Sequence, residues 1–344
     1  MSLVEITDRL ETAWWNKDDP LARALAPLSW LYGLVWRVYT SVYERGWRAS
    51  LHLDIPVVVV GNLIVGGAGK TPAVLAVTLL LQRHGYKPGI VSRGYGRVVD
   101  TLAHVDARSD PDLVGDEPLL LHLRGRVPVT VARDRATAAV ELKRRHPEVD
   151  VIVSDDGLQH LALARDVNVV VFDERGAGNG RTLPAGPLRE PMGKRAPADS
   201  IVLYNAAAPT TAWRGATARR ELVGAVELGA WWRGEAASRA AFDGLRGRRI
   251  VAVAGTAVPE RFFSMLEAEG LEIERCPLPD HHDYDTLPWS ADDRDVIVTE
   301  KDAVKLKPER TLNTRVWVVP LDFEPEPVFA EALLRRVEKA RGRH

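Results

Sequence analysis

The chain has 344 residues, 46% of them hydrophobic, a formal net charge of −1 and a single cysteine, Cys276. That length and apolar content suffice for two core-bearing lobes, or for one large domain with an appendage. The charge balance excludes nucleic-acid binding by bulk electrostatics, and a lone cysteine excludes an internal disulfide and fits a reducing cytosol. Residues 1–15 include Glu5, Asp8, Arg9 and Glu11 and no continuous apolar run, so no secretory signal is expected.

Five of the ten tryptophans (Trp14, Trp15, Trp30, Trp36 and Trp47) fall within the first fifty residues, with Tyr32, Tyr39 and Tyr43 among them. Over 21–48 apolar residues recur at 28, 31, 32, 35, 36, 39, 42 and 43, the spacing of a helix face, with Arg37, Ser41, Glu44, Arg45 and Arg48 on the other side. The most apolar run, Ala24 to Trp36, contains Pro27 and is too short to span a bilayer comfortably. Two readings fit this helix. It lies in a membrane interface, where aromatic rings sit at headgroup depth, or its apolar face packs on the main domain.

From residue 54 the texture changes to β-branched runs separated by helical segments. Strands are expected at 56–60, 88–91, 127–131, 149–153, 167–172 and 200–203, with helices at 71–84, 116–124 and 134–146 between them. Continuous apolar strands alternating with helices predict an α/β fold, a P-loop NTPase-like, mostly parallel sheet with helices on both faces. An irregular stretch with Gly224, Gly229, Trp231 and Trp232 follows, and the α/β texture resumes at 249–254, 258–269, 295–299 and 315–319. The expected organisation is an N-terminal amphipathic helical segment at 1–50, a nucleotide-binding lobe at 51–205, a connector at 206–245 and a smaller C-terminal α/β lobe at 246–344.

The run VVVVGNLIVGGAGKTP, residues 57–72, joins a buried strand to a Gly-rich turn and a helix start. Exposed amides and the helix dipole at such a junction favour phosphate. Gly66, Gly67, Ala68 and Gly69 would let the backbone approach phosphate oxygens. Lys70 would bridge the β- and γ-phosphates, and Thr71 would hold Mg²⁺. The usual spacing asks for glycine at 64, where Ile64 stands, so the loop is the paired-glycine form GGxGKT. Many ATPases of that form place a lysine just before the pair, used across a dimer; here that residue is Val65. A plain structural turn is the competing account of the loop.

Asp155 and Asp156 end the strand in VDVIVSDDGLQH, at the strand edge where open α/β sheets bind ligands. Adjacent carboxylates there repel and favour a cation, so either or both are candidate Mg²⁺ ligands beside Thr71, although Asp-Asp-Gly also makes a good turn. Asp116 and Glu117 open a helix, which capping alone accounts for. Arg93 follows a strand and can present its charge to an anion. Arg189 sits in a Gly/Pro-rich loop, where a lone arginine is ordinarily solvated. Pro279-Asp280-His281-His282-Asp283-Tyr284 supplies either a metal cluster or a histidine base oriented by an acid. Thr299-Glu300-Lys301-Asp302 is similar to a guanine-reading motif, but its lysine and aspartate are adjacent and the spacing is wrong.

Taken together, GNLIVGGAGKTP (61–72), VSRGYGR (91–97), GDEP (115–118), SDDGLQH (154–160), GNGRTLPAGPLREP (178–191), PDHHDY (279–284) and TEKDAVK (299–305) run in this order over most of the chain. This constellation resembles the tetraacyldisaccharide 4'-kinases of lipid A biosynthesis. The resemblance implies transfer of the γ-phosphoryl group of ATP, with Mg²⁺, to the 4'-hydroxyl of a tetraacylated glucosamine disaccharide 1-phosphate. It implies an enzyme at the cytoplasmic face of the inner membrane, held there through the N-terminal helix, with no nucleic acid and no obligate protein partner. By the same resemblance Asp116 matches the candidate base and His281 its partner, chosen over His282 by its place beside Asp280. Lys70 matches the phosphate-binding lysine, and Gln159, His160 and Arg189 match positions near the acceptor and metal. The rival class is a P-loop switch or maturation NTPase acting on a protein partner. It asks for a lysine at 65 or a correctly spaced guanine motif, and neither is present.

Overall fold

The computed structural model describes residues 3–290, 292, 294–311 and 314–344, with side chains from residue 9 onward. Contacts group the chain into two compact units. One comprises Met1–Arg93, Val127–Arg219 and Glu324–His344, and the other Gly94–Arg126 and Arg220–Phe323. The units are interleaved in sequence, whereas the sequence pattern reads as consecutive blocks.

The first unit is built on parallel strands in the spatial order Ala216–Leu222, Ser200–Asn205, Val167–Asp173, Val57–Gly61, Val151–Asp155, Pro88–Ser92 and Val129–Val131. The central strands are buried at every position, as a sheet covered on both faces requires. Their valine and isoleucine content suits a pleated, doubly buried surface. Helices Lys70–Arg83, Arg135–Arg145 and Pro327–Arg341 each bury one apolar stripe: Val74, Val77 and Leu81; Ala138, Ala139 and Leu142; Phe329, Leu333 and Val337. Val57–Gly61 lies between Val151–Asp155 and Val167–Asp173, and chain order reverses across it. Ligands of open α/β sheets bind outside the strand C-termini at such a reversal, and both the Gly-rich loop and Asp155 sit there. Strand, Gly-rich loop and helix in this order make the unit P-loop NTPase-like.

The second unit carries its own parallel sheet of Ile273–Pro277, Ile250–Ala254, Asp295–Thr299 and Arg315–Val319, edged by the antiparallel pair Val226–Glu227. Its core includes Phe242, Phe263, Leu266, Ala252 and Ile297. Segment 94–126 is tied into this unit by Arg124 Nη1 donating to Glu300 Oε2 at 2.7 Å and by Arg126 Nη2 donating to the Gly234 carbonyl at 3.2 Å. The irregular stretch 206–245 contains strand Ala216–Leu222 and the short helices Leu228–Trp232 and Arg239–Leu245. The two helices fall below the length at which helical periodicity is legible, and the strand carries Arg219, Arg220 and Glu221 where an apolar run would mark it.

The N-terminal helix differs from its expected form. It is two helices, Pro20–Ala24 and Ala26–Glu44, the first capped by Asp19 and the second opening on Pro27. Its buried residues are the small Ser29 and Gly33, while Leu28, Trp30, Leu31, Leu34, Val35 and Val38 are exposed. The apolar face therefore does not pack on the sheet. Small residues allow close approach on one side, and the large apolar ones face outward. Among the described residues no helix is long and apolar enough to cross a membrane.

Candidate functional site

In the first unit the loop after Val57–Gly61 ends at Gly69, whose φ of +77° lies in the left-handed region, and helix Lys70–Arg83 starts at the next residue. That conformation favours glycine. Three side chains hold the loop by its carbonyls. Asn62 Nδ2 donates to Gly66 O at 3.1 Å, Arg175 Nη2 to Gly67 O at 2.6 Å and Asn205 Nδ2 to Ala68 O at 3.0 Å. With these carbonyls engaged by the protein, the loop amides are the groups left for an anion. Ile64 is fully buried in the core, and its carbonyl accepts from Arg189 Nε at 3.1 Å. The residue that breaks the usual phosphate-loop spacing is thus a packing and anchoring position.

Lys70 Nζ stands 3.3 Å from Asp156 Oδ2 and 3.4 Å from Asn62 Oδ1. Arg189 forks onto both carboxylate oxygens of Asp156, at 3.1 and 3.2 Å, and also donates to Gln159 Oε1 at 3.1 Å and to Asn62 Oδ1. Burial pushes the Asp156 carboxyl up, but Lys70, Arg189 and Arg135 outweigh it and hold the group below the usual carboxylate range. Asp156 has a φ of +47°, a left-handed conformation uncommon outside glycine, of the kind that collects at functional sites. Asp155 points the other way and is 5% exposed. Its Oδ2 accepts from Ser92 Oγ at 2.8 Å. Arg135 Nε and Nη2 donate to the carbonyls of Asp155 and Asp156 at 3.0 and 2.8 Å, fixing the strand end.

Of the residues expected around this loop, Lys70, Asp156, Gln159 and Arg189 form one network. His160 does not join it. Its Nε2 pairs with Asp134 Oδ1 at 3.0 Å, and burial holds its pKa below the ordinary histidine value. Arg93 is exposed at the end of Pro88–Ser92, and Thr71 occupies the second position of its helix, partly exposed. Sequence reading misses Asn62, Arg135, Arg175 and Asn205. Asn62 lies inside a quoted motif and is legible as a polar residue directly after a buried strand. The other three come from distant segments and leave no local signal.

In the second unit Asp116 is the first residue of helix Asp116–Gly125. The preceding Gly115 has a φ of +93°, and a Cβ there would lie 3.3 Å from the Cα of Gly94, so the turn that delivers Asp116 requires glycine. His281 Nδ1 is 2.9 Å from Asp116 Oδ2. His281 rather than His282 makes this contact, and it does so at a left-handed φ of +62°. His282 instead meets the Tyr284 ring edge-on, with centroids 4.9 Å apart. Burial raises Asp116, yet the His281 hydrogen bond and the charges of Lys301 and Lys305 leave its pKa below the usual value. Asp116 pulls the His281 pKa up. The pair is a buried, ionised carboxylate steered by an imidazole, an arrangement suited to orienting a hydroxyl and accepting its proton.

The donor set near the loop is made of hard oxygens: the hydroxyl of Thr71 and the carboxylates of Asp155 and Asp156. That chemistry fits Mg²⁺, which binds through one or two carboxylates plus nucleotide phosphates rather than in an all-protein cage. No group of three or more His, Cys, Asp or Glu side chains poised for a metal occurs among the described residues.

Comparison with known proteins places the chain among relatives of one kind. The family model described as tetraacyldisaccharide-1-P 4'-kinase matches residues 21–338. The chain is 54% identical over 327 residues to the tetraacyldisaccharide 4'-kinase of Methylibium petroleiphilum, covering 94% of this chain and 91% of that one. It is 52% identical to that of Leptothrix cholodnii, covering 95% and 94%. Among solved structures it is similar to LpxK from Aquifex aeolicus, crystallised in complex with ATP, with a TM-score of 0.75, 26% identity, and coverage of 92% of this chain and 99% of that one.

Proposed function

The chain belongs to the tetraacyldisaccharide-1-P 4'-kinase family, and we propose that its two polar clusters divide the work of moving the γ-phosphoryl group of ATP to the 4'-hydroxyl of a tetraacylated disaccharide 1-phosphate. The observation that carries this reading is the Asp116–His281 pair at 2.9 Å, which a protein that only binds or hydrolyses nucleotide does not need.

Gly66, Gly67, Ala68, Gly69 and Lys70 hold the nucleotide phosphates, and the carbonyl-directed bonds from Asn62, Arg175 and Asn205 keep that loop in shape. Thr71 and Asp156 would hold Mg²⁺, which when bound neutralises charge on the phosphate oxygens, while Asp155, bonded to Ser92 Oγ, supports that strand end from within. Arg189, already forked onto Asp156, keeps that carboxylate ionised and aimed. Gln159 belongs to the same network, and Arg93 and His160 are assigned to substrate contact. Asp116 orients the acceptor hydroxyl. As the bond from its oxygen to the γ-phosphorus forms and the bond from phosphorus to the departing ADP breaks, the hydroxyl proton passes to the Asp116 carboxylate. Phosphoryl transfer has a loose transition state, so the proton moves late and a carboxylate of low pKa suffices.

The acceptor is a lipid, and the outward apolar face of Ala26–Glu44 supplies the means to meet it at the cytoplasmic face of the inner membrane. Trp30, Leu34 and Val38, 77%, 56% and 58% exposed, share one side of the helix at i, i+4 spacing. Replacing all three by glutamate is expected to reduce co-flotation with anionic liposomes at least about tenfold, since each loses roughly 1.5–3 kcal/mol of burial on insertion. The melting temperature should hold, because none of the three is buried in the fold. Undiminished flotation would remove the docking role.

The reaction itself is tested by incubating full-length protein with γ-labelled ATP, Mg²⁺ and tetraacyldisaccharide 1-phosphate in mixed micelles. Label is expected in the organic phase. Release of inorganic phosphate alone, with no labelled lipid, would return the chain to the nucleotide-switch class.

A further inference from the structure

TEKDAVK has no role in the reaction as described so far, yet it sends two lysines to the Asp116–His281 pair. Strand Asp295–Thr299 runs into the short helix Glu300–Ala303, capped by Thr299, whose side chain accepts from Asp302 N. From that helix Lys301 Nζ reaches His281 Nε2 at 3.2 Å, Asp280 Oδ1 at 2.7 Å and Glu117 Oε1 at 3.3 Å, with its side chain only 16% exposed. An ammonium group has donors and no acceptor. A ring nitrogen facing it must therefore offer a lone pair, which places the ring hydrogen on Nδ1, where it donates to Asp116 Oδ2.

We propose that Lys301 is a positioning residue whose ammonium fixes His281 as the neutral, Nδ1-protonated tautomer, leaving Asp116 as the group that takes the acceptor's proton. The inference deepens the kinase reading given above and rests on it for the role of Asp116. The groups facing the ring are Asp116, Asp280 from the same loop, Lys301 and the Tyr95 ring, its centroid 5.7 Å away; behind them Glu117 meets Lys301, and Lys305 Nζ stands 3.9 Å from Asp116 Oδ2. Opposed pulls act on the imidazole. Asp116, by its hydrogen bond and charge, and Asp280 favour the imidazolium and leave the pKa raised; burial and Lys301 disfavour it. Lys301 itself stays charged: burial works against its ammonium, but Glu117, Asp116 and Asp280 outweigh that. An imidazolium would pair with Asp116 as a full ion and weaken it as a base. Lys301 works against that state.

Removing Lys301 leaves burial alone to oppose the two acids, so the His281 pKa rises further and the neutral ring is lost at a higher pH. In Lys301→Met the acid limb of the kcat–pH profile for lipid phosphorylation should move up by about one pH unit, with activity recovering toward pH 9. Lys301→Arg, which keeps charge and donors, should restore the wild-type limb. A purely structural role would lower activity at every pH without moving the limb. The second measurement reads the wild-type protein and needs no turnover: long-range ¹⁵N–¹H correlation spectra of ¹⁵N-histidine-labelled protein at pH 8, with the His281 ring assigned by its loss in His281→Gln. A protonated Nδ1 and a bare Nε2 are expected. An Nε2-protonated ring, or a Lys301→Met limb that superimposes on the wild type, overturns the proposal. Absence of labelled lipid from wild-type enzyme would instead strike the kinase reading, and the spectra would still judge the tautomer.

Discussion

Replacing Asp116 by asparagine is expected to slow single-turnover transfer to the lipid by about 10²–10⁴-fold, the scale of a positioned acid–base group. Asparagine is nearly isosteric, so it can still accept from the Glu117 amide, which donates to Asp116 Oδ1 at 2.8 Å, and the helix start survives. It cannot take the hydroxyl proton. It also deprives His281 of the carboxylate that raises its pKa, and Lys301 and Lys305 of one counter-charge. Nucleotide affinity should stay close to wild type, because the substitution removes the proton acceptor and leaves Lys70 and the loop amides to hold the phosphates. Rapid-quench measurement at saturating Mg-ATP, beside an equilibrium nucleotide titration, separates the two quantities. A transfer rate within about threefold of wild type would dismiss Asp116 as the base. With its pKa held below the usual carboxylate range by His281, Lys301 and Lys305, Asp116 is charged through the neutral range, and its own protonation should not limit the rate there.

The second large effect is expected at Lys70. Lys70→Ala should cost about 10²–10³-fold in kcat, as loss of one preorganised charge at the transferring group does elsewhere, with a weaker effect on stability. The asymmetry comes from the surroundings. Lys70 helps to hold Asp156 ionised, yet Arg189 remains forked onto that carboxylate and Arg135 remains close by. The acid is therefore not left buried and unpaired when the lysine goes, and the penalty for a lone buried charge is avoided. Lys70→Arg should not rescue fully, since a planar fork does not replace a compact ammonium in a tight loop. Steady-state kinetics with a thermal melt checks both statements. A drop of several degrees in melting temperature with kcat preserved would show that Lys70 serves the fold and not the transfer.

Both effects reside in side chains whose motifs are legible in the sequence alone. GGAGKT announces an anion-binding turn because glycine-rich backbone after a buried strand has few other uses. The Asp-Asp ending of a valine-rich strand places acids at the ligand edge of the sheet for a similar reason. What those motifs leave open is direction. Asp155 and Asp156 are adjacent and chemically equal, yet Asp155 turns in to Ser92 while Asp156 turns to Lys70 and Arg189. His281 and His282 are likewise adjacent, and the left-handed backbone at His281 sends only that ring to Asp116. Arg189, which composition reads as a solvated loop residue, is instead the centre of the first cluster.

The amino-acid sequence by itself determined the periodic features: the β-branched strands, the helices that follow them, the phosphate loop and the order of motifs that identifies the family. These are local, since period, turn residues and caps act over a few positions. Tertiary structure decided what depends on partners far along the chain. It assigned segment 94–126 to the unit built from residues 220–323, through ties such as Arg124 to Glu300. It turned the large apolar residues of Ala26–Glu44 outward, because Ser29 and Gly33 are the residues small enough to approach the body of the fold. It brought Lys301 to His281 from the end of a different strand. Contacts at such separations leave no period and no spacing in one sequence; they exist once the sheets have formed and the strand ends converge.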